Sequence, residues 1–439
     1  MQTIRIRDLL ARRKDVVFIQ DNIRYKRVTI RINHNGVCLR NEEIGKKIGT
    51  KRQFITRAGD FILSRIDARH AAFGIVPEEL EGAIITNDFW SFEINKDLVE
   101  LDYFYIFSQS QEFLEACKRA SKGTTNRKRI EEDFFMNYEF ELPNKETQQL
   151  LVQAYSRAKI LQERFLEECT NQQRLIARLK QSILSDAIHG TLVSQDPNDE
   201  PASSAIKILK QEKEYVISSM KMRKQASQFS VTHEKPYIIP SGWEWSRIGE
   251  IFCVGTGATP ARMDYSYFGG TINWLTSTET GRDFIEKPTE MITEKAIEET
   301  NCRVFPPGTL IVAMYGQGKT RGQVSELKIP AATNQACAAI LFGKSGEKVK
   351  DYIKIFFKYN YLRLRELAEG GAQPNLNLVK IKKYPVPIPP FNEQIRIAEM
   401  VSRMLCQFEL LVSQRKTQLL QLNRLRGLLL HNLFQEIEN

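Results

Sequence analysis

The sequence predicts an α+β protein in which two mixed, strand-rich domains are each followed by one long helix, the two helices packing on one another as a coiled coil. Three observations predict it. Motifs recur in the same order about 246 residues apart, each recurrence closes in a long helical stretch, and the residues ahead of each stretch break into short β-branched or aromatic runs punctuated by Gly and Asn.

The first predicted domain occupies residues 1–142. Its marks are Ala58-Gly59-Asp60 ahead of an apolar run, then Thr86-Asn87, then Gly123-Thr124-Thr125, then a strand ending at Leu142-Pro143; strands are predicted at 28–32, 61–66 and 83–86. The second predicted domain, residues 237–388, repeats the marks as Pro307-Gly308-Thr309, Thr333-Asn334, Gly370-Gly371 and Ile388-Pro389, with strands at 310–314 and 338–342. Pro143 and Pro389 are 246 residues apart, as are Gln148 and Gln394, and Asn87 and Asn334 are 247 apart. Leu179 and Ile183 pair with Leu425 and Leu429 at the same 246, so neither helical segment carries an insertion relative to the other.

Those segments are the long helices predicted at 143–190 and 389–439. On the first, Leu151, Ala154, Ala158, Leu161 and Phe165 follow steps of 3 and 4, pause at Glu167, Glu168, Gln172 and Gln173, and resume at Ile176, Leu179 and Ile183. On the second, Ala398, Val401, Leu405, Phe408, Val412, Leu419, Leu422, Leu429 and Leu433 do the same, with Arg415 and Arg426 as polar breaks. About forty residues at 1.5 Å each make a rod of roughly 65 Å, which needs a partner along its length, and its own copy is the obvious one. Between the repeats, residues 191–236 read as a loop, a short exposed helix with a basic run (Lys207, Lys210, Lys213, Lys221, Arg223, Lys224) and a flexible linker.

Composition narrows the function. The 439 residues are 42% hydrophobic and 26% charged, a folded chain of about three units or of two large domains with connectors. No run approaches 18 apolar residues and the first residues lack the apolar core of a signal peptide, so a cytoplasmic, non-membrane protein is expected. Seven cysteines, none within ten residues of another, disfavour both a disulfide framework and a zinc knuckle. A net charge of +10 makes a polyanionic partner plausible without proving one.

Enzyme signatures fail one by one. Residues 313–320 approach a GxxxxGKT nucleotide loop, but Ala313 replaces its first glycine and Arg321-Gly322-Gln323 continues as loop rather than helix. Ile388-Pro389-Pro390-Phe391 lacks the Asn or Asp that holds a target amine in amino-methyltransferases. Five histidines form no metal-spaced pair, and no metal or catalytic set is expected in this chain. What stands out is a set of Gly-punctuated loops with basic and amide side chains. The first half offers Lys51, Arg52, Arg65, Arg69, Lys122, Thr124, Asn126 and Arg127; the second offers Gln317, Lys319, Arg321, Gln373 and Asn375. Such groups read base edges or hold phosphate, and the case rests on their recurrence in both halves.

Pro240-Ser241-Gly242-Trp243-Glu244-Trp245, Gly257-Ala258-Thr259-Pro260 with Trp274, Pro389-Pro390-Phe391-Asn392-Glu393-Gln394 and 179–184 together give the chain a specific likeness. Over its whole length it resembles the specificity (DNA-recognition) subunit of Type I restriction-modification systems. The resemblance implies two target-recognition domains related by a pseudo-two-fold repeat and separated by an antiparallel two-helix coiled coil. Its seam would hold Leu151, Leu161, Phe165, Leu179 and Ile183 against Val401, Leu405, Phe408, Leu422 and Leu429. It also implies double-stranded DNA as ligand, two methyltransferase subunits using S-adenosylmethionine, and two restriction subunits using ATP and magnesium, with no cofactor in this chain. Two departures mark the first half: it opens on Thr3-Ile4-Arg5-Ile6-Arg7 without a Pro-x-Gly-Trp, and Thr147-Gln148 stands for Glu-Gln.

Equal rods packed antiparallel would present the two domains to a duplex in inverted orientation. A rod of roughly 65 Å spans one to two helical turns of about 34–36 Å, so its length would set a spacer of unread bases. A coiled-coil adaptor that binds protein, or a self-contained methyltransferase or nuclease, are the other readings of the same chain.

Overall fold

The structure is a computed structural model; it describes residues 2–123, 128–222, 235–316, 318–369 and 376–435, apart from the side chains of residues 368, 369, 423 and 425–435. It divides into two compact units, Met1–Thr170 with Gln414–Asn439, and Asn171–Ser413.

The first unit opens with β1 (Gln2–Arg5), the single turn α1 (Ile6–Leu9), β2 (Leu10–Arg13), β3 (Val16–Phe18), β4 (Arg24–Ile30) and β5 (Val37–Ile44). Next come β6 (Arg52–Ile55), β7 (Phe61–Ser64), β8 (Phe73–Ile75), β9 (Ile84–Ile85) and β10 (Phe89–Ile94). Then α2 (Leu101–Ser108), α3 (Gln111–Arg119), β11 (Ser121–Lys122), β12 (Arg129–Ile130), α4 (Glu132–Met136) and β13 (Glu139–Leu142) lead into α5 (Lys145–His189). One sheet has the order β2-β10-β7-β8 and another β3-β6-β9-β4-β5, while β1 pairs antiparallel with β13.

Alternation along β10 sorts the first sheet's two faces. Phe92 lies opposite both Arg12 and Phe61, and with Phe104, Phe113 and Phe135 it fills the core under the helices; Phe61 meets Phe113 edge-on at 5.6 Å. On the other face, Asp60 accepts from Ser91 at 2.9 Å and from Arg13 at 2.9 Å, so the Asp of the Ala-Gly-Asp mark is a buried, fully engaged carboxylate.

The second unit takes α5 onward from Asn171 and continues with α6 (Ala202–Ser219), β14 (Glu244–Arg247), α7 (Ile248–Ile251), β15 (Cys253–Thr256) and β16 (Phe268–Leu275). β17 (Phe284–Ile285), β18 (Glu290–Ile292), α8 (Glu294–Glu299), β19 (Val304–Phe305), β20 (Leu310–Ala313), β21 (Val324–Leu327), β22 (Ala331–Thr333) and β23 (Cys337–Leu341) follow. The last elements are α9 (Gly346–Tyr359), α10 (Tyr361–Glu369), α11 (Leu378–Lys383), β24 (Pro385–Ile388) and α12 (Phe391–Gln435). The main sheet has the order β15-β23-β20-β21-β17, a second has β18-β16-β22-β19, and β14 pairs antiparallel with β24. Strand for strand, β15-β23-β20-β21 takes the order of β2-β10-β7-β8. The core gathers Tyr352, Phe356 and Phe357 of α9 with Val312 and Ile340 of the sheet, and with Ile183, Leu184, Ala187 and Ile188 of α5 and Ile397 and Val401 of α12.

Two expectations are corrected here. The helix between the repeats is not an exposed basic one: α6 is 18 residues long and buries Ala202, Ala205, Ile206, Leu209, Val216 and Ile217. Lys207 and Lys210 do face solvent, but Lys213 is buried and donates to the Gly249 carbonyl at 2.7 Å. Its ammonium is pushed below the usual lysine range by burial. Arg223 and Lys224 lie outside the described residues.

The second correction concerns the apolar face of α5. Leu161 is 65% exposed and Leu179 49%. The residues turned inward are Tyr155, Gln162, Cys169, Ile176 and Ile183, seven apart throughout, joined by Ala158, Phe165 and Gln172, also seven apart. A strict seven-residue spacing holds one line along one side of a helix, and here that line includes two glutamines that a search for apolar steps passes over. Leu151 and Phe165 are half-buried and Ile183 is buried, as is Val401 on α12; Leu405, Phe408 and Leu422 are half-buried, and the Leu429 side chain lies outside the described residues.

Candidate nucleic-acid interface

In the first unit, β2 and β7 are both antiparallel to the β10 between them and so run parallel to each other, and the chain leaves both at one edge of the sheet. There the loop after β7 is pinned by the Arg65 amide donating to the Asp88 carbonyl at 2.8 Å and the Ser64 amide donating to the Ala72 carbonyl at 2.9 Å. The Ile130 amide donates to the Arg65 carbonyl at 2.9 Å, which brings the β11–β12 pair against this loop. Arg65, Arg69 and Lys122, distant in sequence, are thereby set on elements of one rim. Thr124, Asn126 and Arg127 lie outside the described residues.

Ion pairs neutralise much of this rim. Lys122 meets Glu131 at 2.7 Å, Arg129 meets Asp88 at 3.2 Å, and Arg12 pairs with Glu132. The Arg12 guanidinium is held below its ordinary range, first by burial, which the Glu132 carboxylate opposes and the nearby Arg65 charge reinforces. Lys51 and Arg52 are placed elsewhere, at the start of β6 in the other sheet. Lys51 donates to Asp21 at 2.6 Å and to the Gly45 carbonyl at 2.8 Å, bonds that hold its own loop, and Arg52 lies 5.2 Å from the Phe54 ring.

The second unit places a basic loop at the corresponding edge, with different residues. β15 and β20 flank β23 and are parallel for the same reason, so the loop after β20 leaves the corresponding edge. It folds back through the Gly322 amide, which donates to the Ala313 carbonyl at 2.9 Å. Gly322 has φ +84°, and a Cβ there would stand 3.2 Å from the Tyr361 carbonyl oxygen, so the loop needs glycine at this position. From α10, Tyr361 donates to the Lys319 carbonyl at 2.6 Å and Arg365 to that of Gly318 at 2.7 Å. Lys319 is exposed and Arg321 half-buried, while Gln317, Gln373 and Asn375 lie outside the described residues. The chain after Thr320 returns into β21 and not into a helix, so the loop does not continue into a helix whose N-terminus would cap a phosphate, as in a nucleotide-binding loop.

Sequence reasoning missed several residues at these edges. Trp90 is buried with Arg12 stacked 4.5 Å and Arg65 4.7 Å from its ring centre. In the second unit Arg262 forms a bidentate pair with Glu290 at 2.6 and 3.2 Å and lies 5.0 Å from both Phe268 and Trp274. Beside it Met263 and Tyr265 are 89% and 83% exposed. The alternation in Phe89-Trp90-Ser91-Phe92 was a usable signal for Trp90; nothing local pointed to Arg12. Among the described residues no cluster of three or more His, Cys, Asp or Glu is arranged to hold a metal, and no helix is long and apolar enough to cross a membrane.

Two sheets of like order, each accompanied by a strand pair whose last strand leads through a proline into a helix of 45 residues, define a class of two-domain α+β proteins. The sequence supplies the family: residues 1–163 and 240–421 match the Type I restriction modification DNA specificity domain, and the chain belongs to that family. It is 31% identical to the Type I restriction enzyme EcoEI specificity subunit of Escherichia coli, over 37% of this chain and 35% of that one. To the MjaIX specificity subunit of Methanocaldococcus jannaschii it is 30% identical, over 46% of this chain and 45% of that one. The matches therefore span less than half the length of these relatives. A solved chain from work on complex assembly and conformational transition of the type I R-M system shares the fold at a TM-score of 0.61 and 17% identity, over 99% of this chain and 97% of that one.

Proposed function

We propose that this chain is the non-catalytic subunit that gives a Type I restriction-modification enzyme its DNA specificity, reading an asymmetric, bipartite duplex site. The observation that carries the reading is the repeated edge: in each unit the loop after one central strand carries unlike basic side chains and is held by a second segment, β11–β12 with candidate Lys122 in one and α10, which carries none of the candidate residues, in the other. Like placement with unlike residues suits two half-sites of different sequence.

The helices are read as an antiparallel coiled coil that sets the spacing of the half-sites, with the domains related by a pseudo-two-fold axis. Supporting this, Gln414–Gln435 of α12 group with the first part of α5, while the last turns of α5 share a core with Ile397 and Val401 near the start of α12. Just past α5, Gln195 donates to Glu393 at 2.6 Å and Asp199 accepts from Arg396 at 2.6 Å.

In this reading two methyltransferase subunits, with S-adenosylmethionine, and two restriction subunits, with ATP and magnesium, supply the chemistry. Exposed Leu161, Leu175, Leu179, Leu410 and Leu420 on the two helices suit protein partners. The test is to map methylated adenines in DNA from cells expressing this chain with its methyltransferase. Two unlike short tracts at one fixed separation are expected; a single continuous tract, or methylation without sequence preference, would overturn the reading.

A further inference from the structure

We propose that Trp90 and Arg65 build a seat for one phosphate of the DNA backbone, Arg65 touching the phosphate and Trp90 acting as its positioning residue. The proposal rests on the DNA reading above and adds to it a defined contact in the first unit.

The seat follows from strand alternation. Phe61 and Leu63 of β7 face the aromatic core, and Arg65, two residues on, continues that face past the end of the strand. Trp90 and Phe92 of β10 share the face, and Arg12 of β2 joins it opposite Phe92. Two guanidinium groups therefore meet one indole, at 4.5 and 4.7 Å from its centre. An aromatic face attracts a cation, but two cations on one ring repel each other across it.

Arg12 resolves its share by pairing with Glu132. The neighbouring cations do likewise: Arg13 with Asp60, Lys122 with Glu131, Arg129 with Asp88. Arg65 and Arg69 have no carboxylate partner among the described residues. Arg65 Nε, Arg69 Nη1 and Trp90 Nε1 are moreover buried N–H groups without an acceptor. Buried donors left unmade are costly, and an unpaired Arg65 whose Nε lacks an acceptor, beside an indole whose Nε1 also lacks one, describes the complement of an anion. Arg65 is half-buried at the open edge of the sheet, beside the β11–β12 pair, with its guanidinium 4.7 Å from the centre of the indole. A cation held against a ring before its ligand arrives loses less freedom on binding, which is what a register-fixing phosphate contact requires.

The test uses the chain assembled with its methyltransferase subunits and a duplex carrying the methylated site, with affinity followed against salt. Arg65→Gln should lower the slope of log affinity on log salt by about 0.9 and weaken binding about eightfold at 0.1 M salt, the effect of one phosphate contact. The loss should be equal on the target and on variants substituted at any one base. Trp90→Phe, which keeps a ring under the guanidinium, should retain the slope, and Trp90→Leu should lower it as Arg65→Gln does. An unchanged slope for Arg65→Gln, or a loss confined to one base position, would overturn the seat while leaving DNA recognition intact. Salt-independent binding by the unsubstituted assembly would overturn the DNA reading itself.

Discussion

Gln148 and Gln394 make the same hydrogen bond 246 residues apart: each buried carboxamide donates from Nε2 to a proline carbonyl five residues earlier, Pro143 at 2.9 Å and Pro389 at 2.8 Å. Each bond ties the chain leaving the last strand of a domain to the first turn of the long helix that follows. Gln148 also donates to the Leu98 carbonyl at 3.1 Å and accepts from the Glu100 amide at 2.9 Å. Only an amide side chain both donates and accepts in this way, which accounts for glutamine at the position where Thr147-Gln148 departs from Glu393-Gln394 in its other residue.

The two glutamines should therefore differ in weight. Gln148→Ala is expected to destabilise its unit by about 2–3 kcal/mol and Gln394→Ala by about 1–2 kcal/mol, since the first leaves more buried groups unpaired. Denaturant unfolding of the two variants measures this, and equal losses would contradict the assignment.

Glu393 and Asp199 predict opposite responses to pH. Burial raises the Glu393 carboxyl above the usual range despite the bond from Gln195, whereas the Arg396 guanidinium lowers that of Asp199. A raised acid binds its proton more tightly when folded, so Glu393 costs stability at neutral pH and the cost fades as pH falls into the ordinary Glu range. Asp199 instead adds stability above the ordinary Asp range and loses it as pH drops through its lowered folded value. Glu393→Gln should raise the thermal midpoint near neutral pH and converge on the unsubstituted chain below about pH 4. A lowered midpoint at neutral pH would show that the charge is favourable.

The line of inward residues on α5 ranks substitutions by position and not by residue type. Ile183→Ala should cost about 2–4 kcal/mol, while Leu161→Ala and Leu179→Ala, at exposed sites, should stay within about 0.5 kcal/mol in the chain without partners. Unfolding of the three alanine variants tests the register, and a large loss at Leu161 would restore the simpler apolar line.

If the helices measure the gap between half-sites, their length should be readable in the DNA. Removing seven residues from each shortens the rod by about 10 Å, close to three base pairs, and the preferred spacer should shrink accordingly. Selection of binding sites by the shortened assembly checks this; an unchanged spacer would remove the helices from the role.

Much of this was legible before any coordinates. Gly and Asp punctuation marked the loop of Arg65 and Arg69 and that of Lys319 and Arg321, because turns need particular residues at particular places. Arg12 was not legible, since nothing near it in sequence says that β10 inserts between β2 and β7; strand order is a non-local choice. Lys213 misled in the other direction. A lysine among lysines reads as solvated, yet its neighbours Leu209, Val216 and Ile217 bury that side of α6 and take the ammonium with them to the Gly249 carbonyl.

The sequence by itself determined the doubling of the chain, the equal length of α5 and α12, and the family, because spacing and local periodicity are written residue by residue. Tertiary structure alone decided which side of α5 turns inward, that Gln162 and Cys169 lie there in place of Leu161, and that Arg12 and Arg65 share the ring of Trp90. Those outcomes depend on which surfaces meet, and a surface is assembled from residues that local patterning cannot bring together.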